Sequence, residues 1–334
     1  KGAWQKQKDI WKTINGDAYY FSGSGDCTLL YQGSTRTCYE FRDGQQVLVQ
    51  NDTRAIRGAT YYFGPDGVKS SSPGLYLTAP GRLIYVNAEG IAEQEIPGEL
   101  KAYTSADGKI TSCRVQENNL MRYYNADGSL RRQIDLNLPM VALTYDDGPS
   151  IHTPAILDLL SQYGGMATFF VVGSRVPSYT DTLLRAFQMG CEIGNHTYSH
   201  KILTKLSAGE IQSQISSTND AVRSVTGVSP AAMRPPGGGY NSIVSSVAGM
   251  PMILWSIDTL DWKTRNSART QEAVLNHVKN GDIVLMHDLY RQTAEASAAI
   301  IPELINRGYQ LVTISELSDC RGGMAPGAVY RSFP

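Results

Sequence analysis

A recurring tight-turn signal in the first 138 residues constrains the fold more than any other feature. Asp-Gly or Glu-Gly dipeptides stand at Asp43-Gly44, Asp66-Gly67, Glu89-Gly90, Asp107-Gly108 and Asp127-Gly128, at intervals of 23, 23, 18 and 20 residues. Gly accepts the positive φ that tight turns require, so each dipeptide predicts a hairpin. Aromatic or β-branched runs precede several of them, as in ATYYFGPDG, LIYVNAEG, KAYTSADG and MRYYNADG. A lone hairpin is barely stable in water, so a repeat near 20 residues predicts neighbours that stack to bury their aromatic faces. Residues 1–138 therefore read as an all-β hairpin-repeat domain.

The chemistry changes after Pro139. All five histidines lie beyond residue 150, whereas 11 of the 19 tyrosines precede residue 139. Apolar β-rich runs now recur: MVALTYDD, MATFFVVG, CEIGNH, AAMRPP, PMILWSID, GDIVLMHD and YQLVTISEL. Between most of them lie amphipathic stretches with helical spacing, TPAILDLLSQYG, SAGEIQSQISSTNDAVRSVTG, TQEAVLNHVKNG and AEASAAIIPELINRG. In the second of these Ile211, Ile215, Val222 and Val225 fall mostly on one face. Strands without apolar/polar alternation are covered on both faces, which predicts a parallel α/β arrangement, either a closed barrel of seven strands or an open sheet. Residues 321–334 read as a C-terminal tail.

The formal net charge of -1 argues against nucleic acid or an anionic membrane as the main partner. No stretch approaches the roughly 20 apolar residues of a membrane span. The chain begins at Lys1 without an initiator Met, so it reads as a processed or trimmed product. None of the five cysteines forms a CxxC pair, which speaks against a ribbon or finger zinc site. Cys27 and Cys38 are spaced to bridge in an oxidising compartment, and the alternative is buried free thiols.

Polar residues able to do chemistry sit at the ends of five of the predicted strands: Asp146 and Asp147, His196 and His200, Arg234, Asp258 and Asp261, His287 and Asp288. Parallel α/β folds build their sites at the carboxyl ends of strands. In NHTYSH the two imidazoles are four residues apart and, on a helix, would project from one face. A carboxylate from another strand would complete a two-His, one-carboxylate metal set with open positions. Adjacent aspartates suit a division between metal ligation and proton acceptance, and a second imidazole such as His287 suits a general acid. Metal, base and acid together mean metal-assisted hydrolysis. Backbone N–H groups of RPPGGGYN are candidates for an oxyanion hole.

These motifs, TYDDGP, HTYSH, RPPGGGYN, DTLDW and IVLMHD, resemble in kind and order those of the polysaccharide deacetylases of carbohydrate esterase family 4, over roughly residues 138–318. The resemblance implies a distorted (β/α)7-type barrel across 139–320. It implies Asp146 as catalytic base held by Arg234, and Asp147, His196 and His200 as metal ligands. It also implies His287 as acid paired with Asp261, Trp262 walling the groove and Leu285 lining an acetyl-methyl pocket. Gly237 and Tyr240 of the glycine-rich loop would contact substrate. Many members carry Tyr where this chain has Gly237, so an aromatic wall is lost and the loop gains freedom. Tyr145 replaces the family's common Phe, and His152 and His277 match no motif.

The expected reaction is removal of N-acetyl groups from N-acetylglucosamine in a polysaccharide, foremost bacterial peptidoglycan, with Zn2+ or else Co2+ or another divalent ion. Alternatives are an acetylxylan or other O-acetyl esterase, a chitin-oligosaccharide deacetylase and, more distantly, a non-catalytic glycan-binding surface protein. The hairpin array resembles bacterial cell-wall-binding and glucan-binding repeats, which implies an extracellular, cell-wall location.

Overall fold

The structure, a computed structural model, describes residues 8–106 and 109–334. The chain divides into two compact units, Lys1–Asp135 and Leu136–Pro334.

The first unit is all β. Its strands are β1 (Ile10–Ile14), β2 (Asp17–Phe21), β3 (Cys27–Gln32), β4 (Thr37–Arg42), β5 (Gln45–Leu48), β6 (Asp52–Ile56) and β7 (Ala59–Phe63). They continue as β8 (Gly74–Leu77), β9 (Leu83–Val86), β10 (Ala92–Ile96), β11 (Glu99–Ala106), β12 (Lys109–Glu117), β13 (Leu120–Asn125) and β14 (Leu130–Asp135). The first five form one antiparallel meander, β6 and β7 a hairpin, and the rest a sheet in the order β10-β9-β8-β12-β13-β14 with β11 on β12.

Asp43-Gly44 links β4 to β5 with both residues at positive φ, the two-residue geometry that suits strand twist. Glu89-Gly90 and Asp127-Gly128 turn β9 into β10 and β13 into β14, and Asp66-Gly67 closes the turn after β7. The Asp107-Gly108 turn lies outside the described residues. Two further tight turns have the Asp43-Gly44 geometry: Asn15-Gly16 between β1 and β2, and Arg57-Gly58 between β6 and β7. Arg57 holds φ +51, a conformation that Asn and Asp adopt far more readily.

All five cysteines are free thiols. Cys38 pairs across the sheet with Tyr31, four residues along β3 from Cys27, so the expected Cys27–Cys38 bridge would have to span about 13 Å. Burial instead pushes the Cys38 thiol up to about 12 and that of Cys113 up to about 11.

The second unit alternates strands and helices: β15 (Met140–Asp146), α1 (Thr153–Tyr163), β16 (Thr168–Val171), α2 (Thr180–Gln188), β17 (Glu192–Asn195), α3 (Ala208–Thr226), α4 (Ser242–Ala248), β18 (Met252–Ile253) and β19 (Ile257–Asp258). Then come α5 (Asp261–Thr264), α6 (Ser267–Leu275), β20 (Ile283–His287), α7 (Arg291–Asn306), β21 (Gln310–Leu311), α8 (Ile314–Asp319) and β22 (Val329–Tyr330). The central sheet runs β17-β16-β15-β20-β19 with β21 also on β15, all parallel.

The run AAMRPP, expected as a strand, contributes one residue: Met233 bridges Asn195 on one side and Met252 on the other. That single bridge carries the ring of parallel strands from β17 to β18 and makes the barrel a distorted one. Its core holds Val141, Leu143, Tyr145, Phe169 and Val284 from strands, with Ile156, Leu157 and Leu160 from α1 and Ile300, Ile301 and Leu304 from α7. Each such aliphatic side chain contributes roughly 1.5–3 kcal/mol on burial. The Tyr145 hydroxyl is buried against Ser297 Oγ at 2.9 Å, so the extra oxygen relative to Phe has its partner.

Two elements end differently from expectation. The YQLVTISEL run is strand only at Gln310–Leu311, because Thr313 starts α8 with a reciprocal cap. Its Oγ1 accepts from Glu316 N at 3.1 Å, and Glu316 Oε2 accepts from Thr313 N at 2.9 Å. The expected tail folds back, with β22 pairing β18 and Phe333 buried. Thr313 itself is buried, so Thr313→Ala is expected to cost about 1–2 kcal/mol, read as a lower urea midpoint at unchanged slope. An unchanged midpoint would contradict the cap's role.

Candidate active site

Parallel register brings the strand ends together. Asp146, the last residue of β15, lies opposite His287 on β20 and opposite Phe170 on β16. Asp147 follows in the left-handed region at φ +70. His196 and His200 leave the end of β17, but NHTYSH is an irregular loop rather than a helix. Thr197 at φ +65 and His200 at φ +55 turn the chain back on itself, and the ring centroids come to 5.0 Å. Non-glycine residues held there cost of order 1–3 kcal/mol each and persist where surrounding contacts over-determine them. Asn195 supplies such contacts. Its Oδ1 accepts from Thr197 N at 2.8 Å, and its Nδ2 donates to Ile215 O at 2.9 Å and Asn219 Oδ1 at 2.8 Å on α3.

One oxygen of Asp147 gathers both imidazoles. Oδ1 lies 3.3 Å from His196 Nε2 and 3.1 Å from His200 Nε2. His196 Nδ1 lies 2.7 Å from the carbonyl oxygen of Arg234, which can only accept, so Nδ1 carries the proton and Nε2 presents a lone pair. Asp147 Oδ1 is buried and makes no well-formed hydrogen bond. Burial opposes ionisation of Asp147, but His196 and His200 hold its carboxyl well below the usual range. A lone pair and an unsatisfied carboxylate oxygen directed at one point, with His200 beside them, are what a divalent cation requires, and the three residues fit one.

Arg234 is fully buried. Nη1 donates to Asp146 Oδ1 at 2.7 Å and to Thr144 Oγ1 at 2.7 Å, while Nε and Nη2 donate to the carbonyls of Ile253 and Leu254 at 3.0 and 2.9 Å. Its guanidinium carbon stacks 4.3 Å from the Phe170 ring centroid. Across the site His287 Nδ1 meets Asp261 Oδ1 at 2.8 Å, and the His287 and Thr293 donors hold Asp261 Oδ2 at 2.8 and 2.6 Å. Burial acts to lower the His287 pKa. The hydrogen bond that His287 donates to Asp261 and the charges of Asp146, Asp261 and Asp147 outweigh it and bring the imidazole up to about 8.

Asp146, Asp147, His196, His200, Gly237, Trp262, Leu285 and His287 line one cavity of about 380 Å³, with Trp255, Asp258 and Tyr290. Tyr240 is exposed and stands outside that lining. His152 and His277 also lie outside it. Trp255 and Tyr290 escaped the sequence reading. Trp255 lies within a recognised strand run and Tyr290 two residues beyond another, but nothing in their spacing separates wall from core. Together with Trp262 they give an aromatic lining although position 237 has none. Gly237 sits at φ +61 in a short turn where Gly238 and Gly239 spend their N–H groups on Pro235 O and Pro236 O. Among the described residues the Gly237 N–H meets no acceptor.

Asp288 was noted at its strand end without a role. It is buried beneath the turn that follows Asp147: a Cβ on Gly148 would lie 2.3 Å from its Oδ1, and Thr153 Oγ1 donates to its Oδ2. Burial pushes its carboxyl up to about 7.

Comparison with known proteins fits this geometry. A profile described as polysaccharide deacetylase matches residues 134–251. The peptidoglycan-N-acetylmuramic acid deacetylase PdaC of Bacillus subtilis is 44% identical over 189 residues, 56% of this chain and 40% of that protein. A peptidoglycan-N-acetylglucosamine deacetylase of Bacillus cereus is 37% identical over 199 residues, which are 57% of this chain and 93% of that protein. The chain belongs to the polysaccharide deacetylase family. Among solved structures in the family, a family 4 acetyl xylan esterase from Clostridium thermocellum holding a cobalt ion superposes with a TM-score of 0.56 at 34% identity, covering 58% of this chain and 99% of that one. The chain spans about two fifths of the length of PdaC and of the Listeria monocytogenes PgdA sequences it also matches.

The Asp261 contact makes a direct prediction. In metal-free protein, Asp261→Asn should lower the His287 titration midpoint by about a unit or more, followed by NMR of the imidazole protons. A midpoint unmoved by the substitution would remove Asp261 as the cause.

Proposed function

We propose that the chain is a metal-dependent amidohydrolase that removes acetyl groups from N-acetylglucosamine units of peptidoglycan. The observation that carries this reading is the meeting of two oppositely built pairs, Arg234–Asp146 and Asp261–His287, beside the Asp147–His196–His200 cluster in one cavity. The relatives named for acting on peptidoglycan favour that polymer. The reading carries with it an extracellular, cell-wall location.

Asp147, His196 and His200 would hold the metal, with zinc the ion that suits two imidazoles and a carboxylate and cobalt an alternative. What such an ion supplies when bound is Lewis acidity, which polarises an amide carbonyl and acidifies water. Asp146 Oδ1 is engaged by Arg234, which leaves Oδ2 to take a proton from the attacking water. The Gly237 N–H, which meets no acceptor among the described residues, would stabilise negative charge on the acetyl oxygen. His287 Nδ1 is engaged by Asp261, so Nε2 delivers the proton to the leaving nitrogen as the C–N bond breaks. The products are acetate and the free amine. Leu285, at the cavity surface, takes the acetyl methyl, and Trp255, Trp262 and Tyr290 flank the sugar.

The acid acts in its protonated form, so turnover should fall on the alkaline side as the His287 imidazole loses its proton. Asp146→Asn should lower kcat by about 100-fold or more while the protein still binds one equivalent of zinc. His200→Ala should instead weaken metal retention, measured by elemental analysis, and a chelator should abolish acetate release that zinc then restores. A fully active Asp146→Asn protein would overturn the assignment. The likeness to an acetyl xylan esterase favours a second reading, the same chemistry on O-acetylated xylan. Acetate release from peptidoglycan, chitin oligomers and acetylxylan, measured side by side, separates the two.

A further inference from the structure

The first unit contains a cavity of about 280 Å³ lined by Thr13, Gly16, Ala18, Tyr31, Ile56, Arg57, Tyr61 and Lys69. It lies between the β1–β5 meander and the β6–β7 hairpin, and its walls combine two phenol rings with two cations. Lys69 Nζ sits 4.5 Å from the Tyr61 ring centroid. Arg36 stands beside it: its backbone carbonyl accepts from Lys69 N, and its Nη2 donates to Lys69 O at 3.2 Å.

Arg42, Arg54, Arg82 and Arg122 each pair with a carboxylate of Glu40, Asp52, Glu95 or Glu117. Among the described residues, Arg36, Arg57 and Lys69 have no carboxylate within ion-pair distance. Burial and the charge of Arg36 hold the Lys69 amine below its ordinary range, with Glu89 acting only weakly against them. Two of the three cations also occupy costly backbone positions. Arg36 at φ +59 and Arg57 at φ +51 stand in turns that Asn, Asp or Gly would fill with less strain. The Arg57 guanidinium donates to Thr13 Oγ1 and that of Arg36 to the Lys69 carbonyl, so the protein gives both groups neutral acceptors and leaves their charge unmatched.

We propose that this cavity binds an anionic saccharide, its ring against Tyr31 and Tyr61 and its carboxylate or phosphate between Arg57 and Lys69. A volume near the lower end of ligand cavities suits one charged sugar or polyol unit rather than a folded partner. The proposal rests on the reading of the second unit as a glycan enzyme. A second glycan contact on the same chain raises the local concentration of polymer at the catalytic cavity without touching its chemistry.

The test uses the full chain and three soluble probes, titrated calorimetrically at low salt: an oligogalacturonate for carboxylate, a short polyglycerol phosphate for phosphodiester and cellotetraose, which is neutral and carries no acetyl group. At least one anionic probe should bind with Kd below about 1 mM and weaken as salt is added. Whichever binds identifies the anion. Arg57→Gln with Lys69→Gln should weaken it by about tenfold or more, whereas Arg57→Lys with Lys69→Arg should stay within about threefold. Acetate release from chitotetraose should be the same in both variants, which shows that the second unit is intact, and the binding kept by Arg57→Lys with Lys69→Arg shows that the first unit still folds. Failure of both anionic probes to bind up to about 1 mM would overturn the proposal, as would binding unchanged by the neutral double variant or matched by cellotetraose. Binding of the anion by a chain that releases no acetate would remove the catalytic reading and leave this site standing.

Discussion

The site depends on one buried guanidinium. A charge at the position of Arg234 is expensive unless every donor finds an acceptor, and here Asp146, Thr144 and the carbonyls of Ile253 and Leu254 provide them. The backbone of the same residue accepts from His196 Nδ1. Arg234 therefore orients the proposed base with its side chain and fixes the tautomer of a proposed ligand with its carbonyl. It does both next to Met233, the single-residue bridge that closes the barrel between β17 and β18. Removing the side chain would leave Asp146 buried without its counter-charge and two carbonyls without donors.

The two histidines on either side of Asp146 show how environment divides one residue type into two roles. His196 has a neutral acceptor behind it, which leaves a lone pair facing the cavity. His287 has a carboxylate behind it and two more nearby, which favours the imidazolium. The rings differ in what stands at Nδ1, and each acceptor is brought by a distant segment, residue 234 in one case and residue 261 in the other.

Much of this was legible in the chain. The turns at Asp43-Gly44, Glu89-Gly90 and Asp127-Gly128 follow from local backbone preference, and the long apolar runs of β15 and β20 from burial on both faces. The chemically capable residues fall at strand ends because parallel folds place them there. What escaped was non-local. NHTYSH has helical spacing, yet its shape is set by Asn195 reaching α3, and no pattern within the motif reports that. AAMRPP reads as a strand, but only Met233 finds partners because Arg234 turns inward at once. Trp255 and Tyr290 line a cavity through the positions of β18, β19 and α7, and tyrosine or tryptophan beside a strand is equally at home in a core. The tail folds back through β22, a two-residue pairing too short to leave a periodic trace.

Gly148 has a consequence of another kind. Its missing side chain lets the turn after the aspartate pair rest directly on the Asp288 carboxylate, which follows the proposed acid in sequence. The spacing between the proposed metal-holding and proton-donating halves of the site is thus set by contact between a bare backbone and a buried carboxyl, like a shim between two machined faces. Loop grafts or directed evolution aimed at new substrates can vary the aromatic walls with some freedom, but a residue larger than glycine at this joint would shift both halves together.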